Sequence, residues 1–170
     1  ARAGNFPSVA SNALAALVLS SVAGAPAPPA GVLTLVVVAG CLVYAGGATL
    51  NDVADAAFDA QHRPERAIPS RIISRMAAGW LGSVELAAGL GLLIGAGASA
   101  ALAGALAATI LAYDWIHKRW IGSVILMAGC RVLLALGVAS LPDLATRGVF
   151  WWWVGALFVY IVTQSLLARW

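Results

Sequence analysis

Gly31-Val32-Leu33-Thr34-Leu35-Val36-Val37-Val38-Ala39-Gly40-Cys41-Leu42-Val43-Tyr44-Ala45-Gly46-Gly47-Ala48-Thr49-Leu50 runs without a charge into Asn51-Asp52-Val53-Ala54-Asp55-Ala56-Ala57-Phe58-Asp59. A helix rises about 1.5 Å per residue, so an apolar run of this length matches a bilayer core of about 30 Å. Pro26, Pro28 and Pro29 stop a helix on its near side, and the acidic cluster ends the apolar run on the far side. A membrane span that terminates in carboxylates sets the reading of everything around it.

Outward from this run the same pattern repeats. Spans are expected at approximately 8–24, 31–50, 76–95, 99–114, 121–140 and 149–168, making residues 1–170 a single all-α, polytopic transmembrane domain. From Met76 to Tyr113 Glu85 alone interrupts the apolar chain, and one helix that long would overshoot the bilayer, so a turn is expected near Gly95, Gly97 and Ser99. With 62% hydrophobic and 10% charged residues, the composition excludes an ordinary soluble domain, and the basic residues sit in short gaps rather than on a nucleic-acid-binding face. Cys41 and Cys130 lie inside apolar runs and read as small core residues, not as a disulfide or zinc spacing. Residues 8–23, with Ala23, Gly24 and Ala25 resembling a cleavage site, have some features of a signal peptide, but Arg2 alone supplies a leading charge and Asn12 interrupts the run. The chain starts without Met and stops at Trp170 after an apolar run, so truncation at the C-terminus is expected.

Alternating six spans puts Arg2, Arg63, Arg66, Arg71, Arg75, Lys118, Arg119 and Arg169 on one side and Arg147 on the other. The positive-inside rule makes the first side cytoplasmic, with segments 51–75 and 114–120 facing it, in an integral protein of a bacterial-type plasma membrane. Trp80, Trp115, Trp120 and Trp170 would form one interfacial belt, and Trp151, Trp152 and Trp153 the other.

If the second span stays helical through Asp59, then Asn51, Asp55 and Asp59 are four apart on one face and Asp52 adjoins it. Stacked carboxylates repel unless a cation joins them, and an oxygen-only set selects a hard ion such as Mg²⁺. Because Mg²⁺ usually completes its shell with substrate phosphates, a phosphorylated ligand is expected, with Arg63 and Arg66 available to its remaining oxygens. The bland reading is a solvated helix end followed by an ordinary basic loop; the coincidence of spacing, Asn donor and arginines at the bilayer edge weighs against it.

Asn-Asp-x-x-Asp-x-x-x-Asp at 51–59, followed by Arg63-Pro64-Glu65-Arg66-Ala67-Ile68-Pro69-Ser70, resembles the first aspartate-rich motif of the UbiA superfamily of intramembrane prenyltransferases. Tyr113-Asp114-Trp115-Ile116-His117-Lys118 and Ala128-Gly129-Cys130-Arg131 are similar to that superfamily's EboC-like branch, and Tyr160, Thr163, Ala168 and Arg169 more faintly so. The resemblance implies helices paired around a membrane-embedded cavity, Mg²⁺ as cofactor, a polyprenyl diphosphate as donor and a lipophilic acceptor, such as an aromatic one, within the bilayer. It implies metal binding at Asn51, Asp52, Asp55 and Asp59, and diphosphate binding at Arg63, Arg66, Lys118 and Asn12. Catalytic roles would fall on Asp55, Asp59, Tyr113 and Lys118. The superfamily's second aspartate-rich motif would lie beyond Trp170, so weak or no turnover is expected of residues 1–170 alone.

Other readings stay open at this level. A CDP-alcohol phosphotransferase also uses membrane-edge aspartates, but its Asp-Gly-x-x-Ala-Arg lead is missing. A small membrane transporter should show a repeat of its halves, and a non-catalytic diphosphate-binding subunit would bind without turnover. Glu85 and Arg131 are expected at similar depth, either paired or separately hydrogen-bonded. Asp114 is expected to pair with Lys118 at i+4, His62 and His117 receive no chemical role, and Gly-rich 89–104 reads as close helix packing.

Overall fold

The computed structural model describes residues 3–21 and 28–168; the expectations for Arg2, Ala23, Gly24, Ala25, Pro26, Arg169 and Trp170 lie outside the described residues. Within them the fold is all-α. A single 3-10 turn at Ala3–Asn5 leads into α1 (Phe6–Ser20), followed by α2 (Ala30–Ala54), α3 (Ala56–His62), α4 (Arg75–Gly95), α5 (Ala100–Ile116), α6 (Ser123–Ala139) and α7 (Gly148–Leu167). Each of the six apolar runs corresponds to one long helix, and α3 is the extra element. Three helices, α2, α4 and α7, are long and apolar enough to cross a membrane; α1, α5 and α6, of 15, 17 and 17 residues, are shorter apolar helices.

Helix α2 is central. It packs against α4 on one side and against α1 and α5 on the other, while α6 packs on α1, α5 and α7. The α2–α4 seam is made backbone to backbone. A Cβ on Gly46 would sit 2.5 Å from the amide nitrogen of Leu86, and one on Gly89 would sit 2.7 Å from both the Ala39 carbonyl oxygen and the Val43 nitrogen. With no hydrophobic driving force between helices in lipid, such close approach supplies the dispersion contact that holds them. Gly89 therefore bears out the packing expected of the Gly-rich stretch, whereas Gly91, Gly95 and Gly104 have open space around them.

The opposite faces carry exposed apolar side chains such as Val84, Leu92, Leu111, Ile125 and Val159, as expected where the solvent is lipid. Trp80, Trp115, Trp120, Trp151 and Trp152 are also exposed near helix ends. Trp153 departs from the belt: it is half-buried and packs on the core beside Phe150.

The turn between α4 and α5 falls where length arithmetic required it. Gly97 adopts φ of +98°, Ser99 caps α5 by accepting from the Leu102 amide, and the Ser99 amide donates to Ser140 Oγ at 2.9 Å. A Cβ on Gly97 would also meet the Pro142 ring at 2.8 Å. Gly97→Ala should destabilise the fold by about 1–2 kcal/mol through left-handed backbone strain and that contact, read as a lowered thermal midpoint in detergent.

Candidate functional site

The N-termini of α1, α4 and α6 and the C-termini of α2, α5 and α7 share one end of the bundle, the end rich in cations. There α1, α2, α5, α6 and α7 enclose a cavity of about 640 Å³. Its wall includes Val43, Leu106, Ile110 and Leu134, with Asn51, Tyr113 and Asp114 among its polar members. Helix α4 contributes nothing to it.

The helical hydrogen-bond ladder does continue past the end of α2. The Asp55 amide donates to the Asn51 carbonyl at 2.9 Å, Asp59 to Asp55 at 2.9 Å, and Arg63 to Asp59 at 2.7 Å. Residues 51, 55 and 59 consequently share a face, and that face is turned inward: Asn51, Asp55 and Asp59 are 2%, 7% and 3% exposed. Asp52, beside them, is half-exposed.

Each carboxylate has a defined neighbour. Arg66 reaches back from the loop after α3 and donates through one nitrogen to Asp52 Oδ1 at 2.9 Å and Asp59 Oδ2 at 3.2 Å. Lys118 Nζ lies 3.0 Å from Asp55 Oδ1 and 3.5 Å from the centre of the Phe58 ring. His117 Nε2 lies 3.3 Å from Asp55 Oδ2, and its ring stacks on Tyr113 with centroids 5.1 Å apart. Asn51 Nδ2 donates to Asp114 Oδ1 at 3.1 Å. Among the described residues the acidic and His side chains do not converge as a preformed metal cage. They are spread along a line of protein cations instead.

Several expectations are corrected here. Lys118 pairs with Asp55, not with Asp114, because α5 ends at Ile116 and the chain turns, so the i+4 geometry of a continuous helix does not extend to Lys118. His117, given no role from sequence, stands in the site; its position three and four residues after Asp114 and Tyr113 was the signal that one helix face would carry all three. Asn12 does not line the cavity, which meets the opening 3-10 turn at Asn5 and α1 at Ser8 and Val9, one turn nearer the end. Arg63 is exposed and makes no ion pair among the described residues. Glu85 and Arg131 do not pair: Glu85 accepts from Thr49 Oγ1 at 3.2 Å within the α2–α4 seam, and Arg131 belongs to the cavity wall on the far side of α2.

The cavity inside the bundle thus reaches Asn51 and Asp114, while Asp55, Asp59, Arg66 and Lys118 form a rim next along the chain from Asn51, outside the cavity's own lining. A family model described as the UbiA prenyltransferase family matches residues 11–168, which include every feature of this rim. No curated protein and no solved structure matches the chain. The match extends over nearly the whole sequence, and the chain belongs to the UbiA prenyltransferase family.

Proposed function

We propose that this integral membrane protein transfers a prenyl group, in a Mg²⁺-dependent reaction, from a polyprenyl diphosphate to a lipophilic acceptor held in the bilayer. Family membership supports a prenyltransferase-type function; the observation that carries the finer reading is the inward-facing row Asn51, Asp55, Asp59, whose first member lines a largely apolar cavity.

The residues fit a divalent ion by donor type. Asp55 and Asp59 are buried carboxylates on one face with Asn51, and each already accepts from a protein cation, Lys118 or Arg66, a donor set that a hard divalent ion would join. All the donors at Asn51, Asp55 and Asp59 are hard oxygens or an amide. When bound there, Mg²⁺ supplies Lewis acidity that stabilises charge on a departing diphosphate. Arg66 and Lys118 are the groups to take diphosphate oxygens, because both already hold oxyanions at hydrogen-bond distance and can exchange one for another. Tyr113 lines the cavity immediately beside the rim, where the allylic carbon would lie. The C–O bond at that carbon breaks, diphosphate leaves with the electron pair, and the acceptor's nucleophilic atom forms the new bond and loses its proton. Val43, Leu106, Ile110 and Leu134 accommodate the isoprenoid tail and keep water from the carbocation. Six membrane spans, with segments 51–75 and 114–120 on the cytoplasmic side, complete this reading.

Titration of the purified chain in phosphatidylcholine nanodiscs with geranylgeranyl diphosphate tests it. Binding should require Mg²⁺, and Lys118→Ala should weaken it about tenfold, or about 1.4 kcal/mol. Equal affinity in EDTA, or no change in the Lys118 variant, would sink the proposal.

A further inference from the structure

Lys118 is the one lysine among residues 1–170, against nine arginines. It stands in the turn between α5 and α6, and a single stretch of chain across from it holds its ammonium twice. Asp55 Oδ1 lies 3.0 Å from Nζ, and the ring of Phe58, three residues further on, has its centre 3.5 Å from the same atom.

Phe58 is 44% exposed and belongs neither to the cavity wall nor to the buried core, so burial does not account for its place. Helix α3 fixes the ring instead. His62, one turn on, stacks against it with centroids 4.1 Å apart and planes 11° from parallel, and His62 Nδ1 donates to the Phe58 carbonyl oxygen at 3.0 Å. A carbonyl only accepts, so this bond needs the proton on Nδ1. An imidazole and an ammonium both this near the ring centre would collide on one face; Phe58 is therefore clasped between them, His62 behind and Lys118 in front.

The two holders of Lys118 differ in kind. The Asp55 carboxylate occupies N–H groups that a phosphate oxygen would take, and it is also a candidate metal ligand. The face of a phenyl ring attracts the ammonium through its quadrupole and offers a hard divalent ion no oxygen. An arriving metal ion or oxyanion thus displaces the first holder and leaves the second. An ammonium suits this double duty, being a compact charge with three donors that can rest one side on a ring and turn the others to oxygens.

We propose that Phe58 is a positioning residue for Lys118: its ring, backed by His62, keeps the ammonium at the rim when Asp55 turns to a metal ion, so that Lys118 stays available to the diphosphate. The diphosphate in that statement rests on the prenyl-transfer reading above; the hold of Phe58 on Lys118 does not.

With isotope-labelled lysine, the chain in phosphatidylcholine nanodiscs gives one lysine signal by NMR, and the ring current of Phe58 should move its ε-proton resonance upfield. Phe58→Leu and Phe58→Met should return it to the position of a lysine with no ring above it. Phe58→Tyr should keep it upfield, and so should Asp55→Asn, which removes the carboxylate charge alone. Mg²⁺-dependent binding of inorganic pyrophosphate should weaken about fourfold in Phe58→Leu, the size of a cation–π contact at a partly exposed site, and recover in Phe58→Tyr. In a Lys118→Ala background Phe58→Leu should have no further effect, because a residue that acts through Lys118 then has nothing to act on. A lysine signal at the same position in the parent and in Phe58→Leu overturns the proposal, as does loss of the upfield shift in Asp55→Asn, which would make the carboxylate the sole anchor. Parent-like pyrophosphate affinity in Phe58→Leu also overturns it, and so does an equal loss in both Lys118 backgrounds, the mark of a merely structural ring. No pyrophosphate binding by the parent, with the upfield shift present and lost in Phe58→Leu, would remove the diphosphate reading and uphold Phe58 as the anchor of Lys118.

Discussion

Asp59→Ala is expected to lower the affinity of Mg²⁺-dependent prenyl diphosphate binding about 100-fold, or about 2.7 kcal/mol, with a parallel loss of any transferase activity. Asp59 is 3% exposed and its carboxylate is 3.2 Å from Arg66, so the substitution removes both a candidate metal ligand and one of the two anchors that orient the guanidinium. Charge-assisted hydrogen bonds of this kind are each worth about 1.5–3 kcal/mol, and the loss of two functions from one side chain sets the size of the effect. Asp59→Asn, which keeps an oxygen donor but not the charge, should cost about tenfold. Calorimetry with and without Mg²⁺ separates the two contributions, and circular dichroism reports whether the helices persist. Wild-type affinity in Asp59→Ala would move the metal site elsewhere.

The largest effect on stability is expected at the α2–α4 seam. Gly46→Val and Gly89→Val should each destabilise the bundle by about 3 kcal/mol or more, because their Cβ atoms would lie 2.5–2.7 Å from backbone atoms of the facing helix. Backbone cannot rotate aside as a side chain can, so the helices must separate along the seam. Gly91→Ala is the control: nothing lies within 4 Å of its Cβ position, and the higher helix propensity of alanine should leave stability unchanged or raised by up to about 1 kcal/mol. Unfolding midpoints in mixed detergent micelles give the comparison. If Gly46→Val and Gly91→Ala unfold alike, the seam is not what holds α2 to α4.

The helices were legible in the sequence because their limits are set by strong local physics. Apolar runs closed by proline, glycine turns or charge clusters gave bounds within a few residues of α2, α4, α5, α6 and α7. The inward row at 51, 55 and 59 was legible for the same reason, since a spacing of four is a single helix face. What the sequence did not show were contacts across helices. His117 with Asp55 and Asn51 with Asp114 are more than sixty residues apart and depend on how α5 crosses α2. The i+4 pairing expected of Lys118 fails because α5 ends at Ile116, before Lys118 is reached. Equal depth suggested Glu85 and Arg131 as partners, yet depth says nothing of which side of α2 a residue occupies. Asn12 shares a helix face with Asn5, but the cavity closes before reaching it.

The seam has a mechanical corollary. Helices whose main chains touch cannot slide or tilt past one another without collision, so α2 and α4 must travel as one plate, and the row that begins at Asn51 rides on that plate's edge. Any expansion of the cavity therefore falls to α1, α5, α6 and α7, the other helices of its wall. The inward row stays fixed while the rest of the cavity wall remains adjustable.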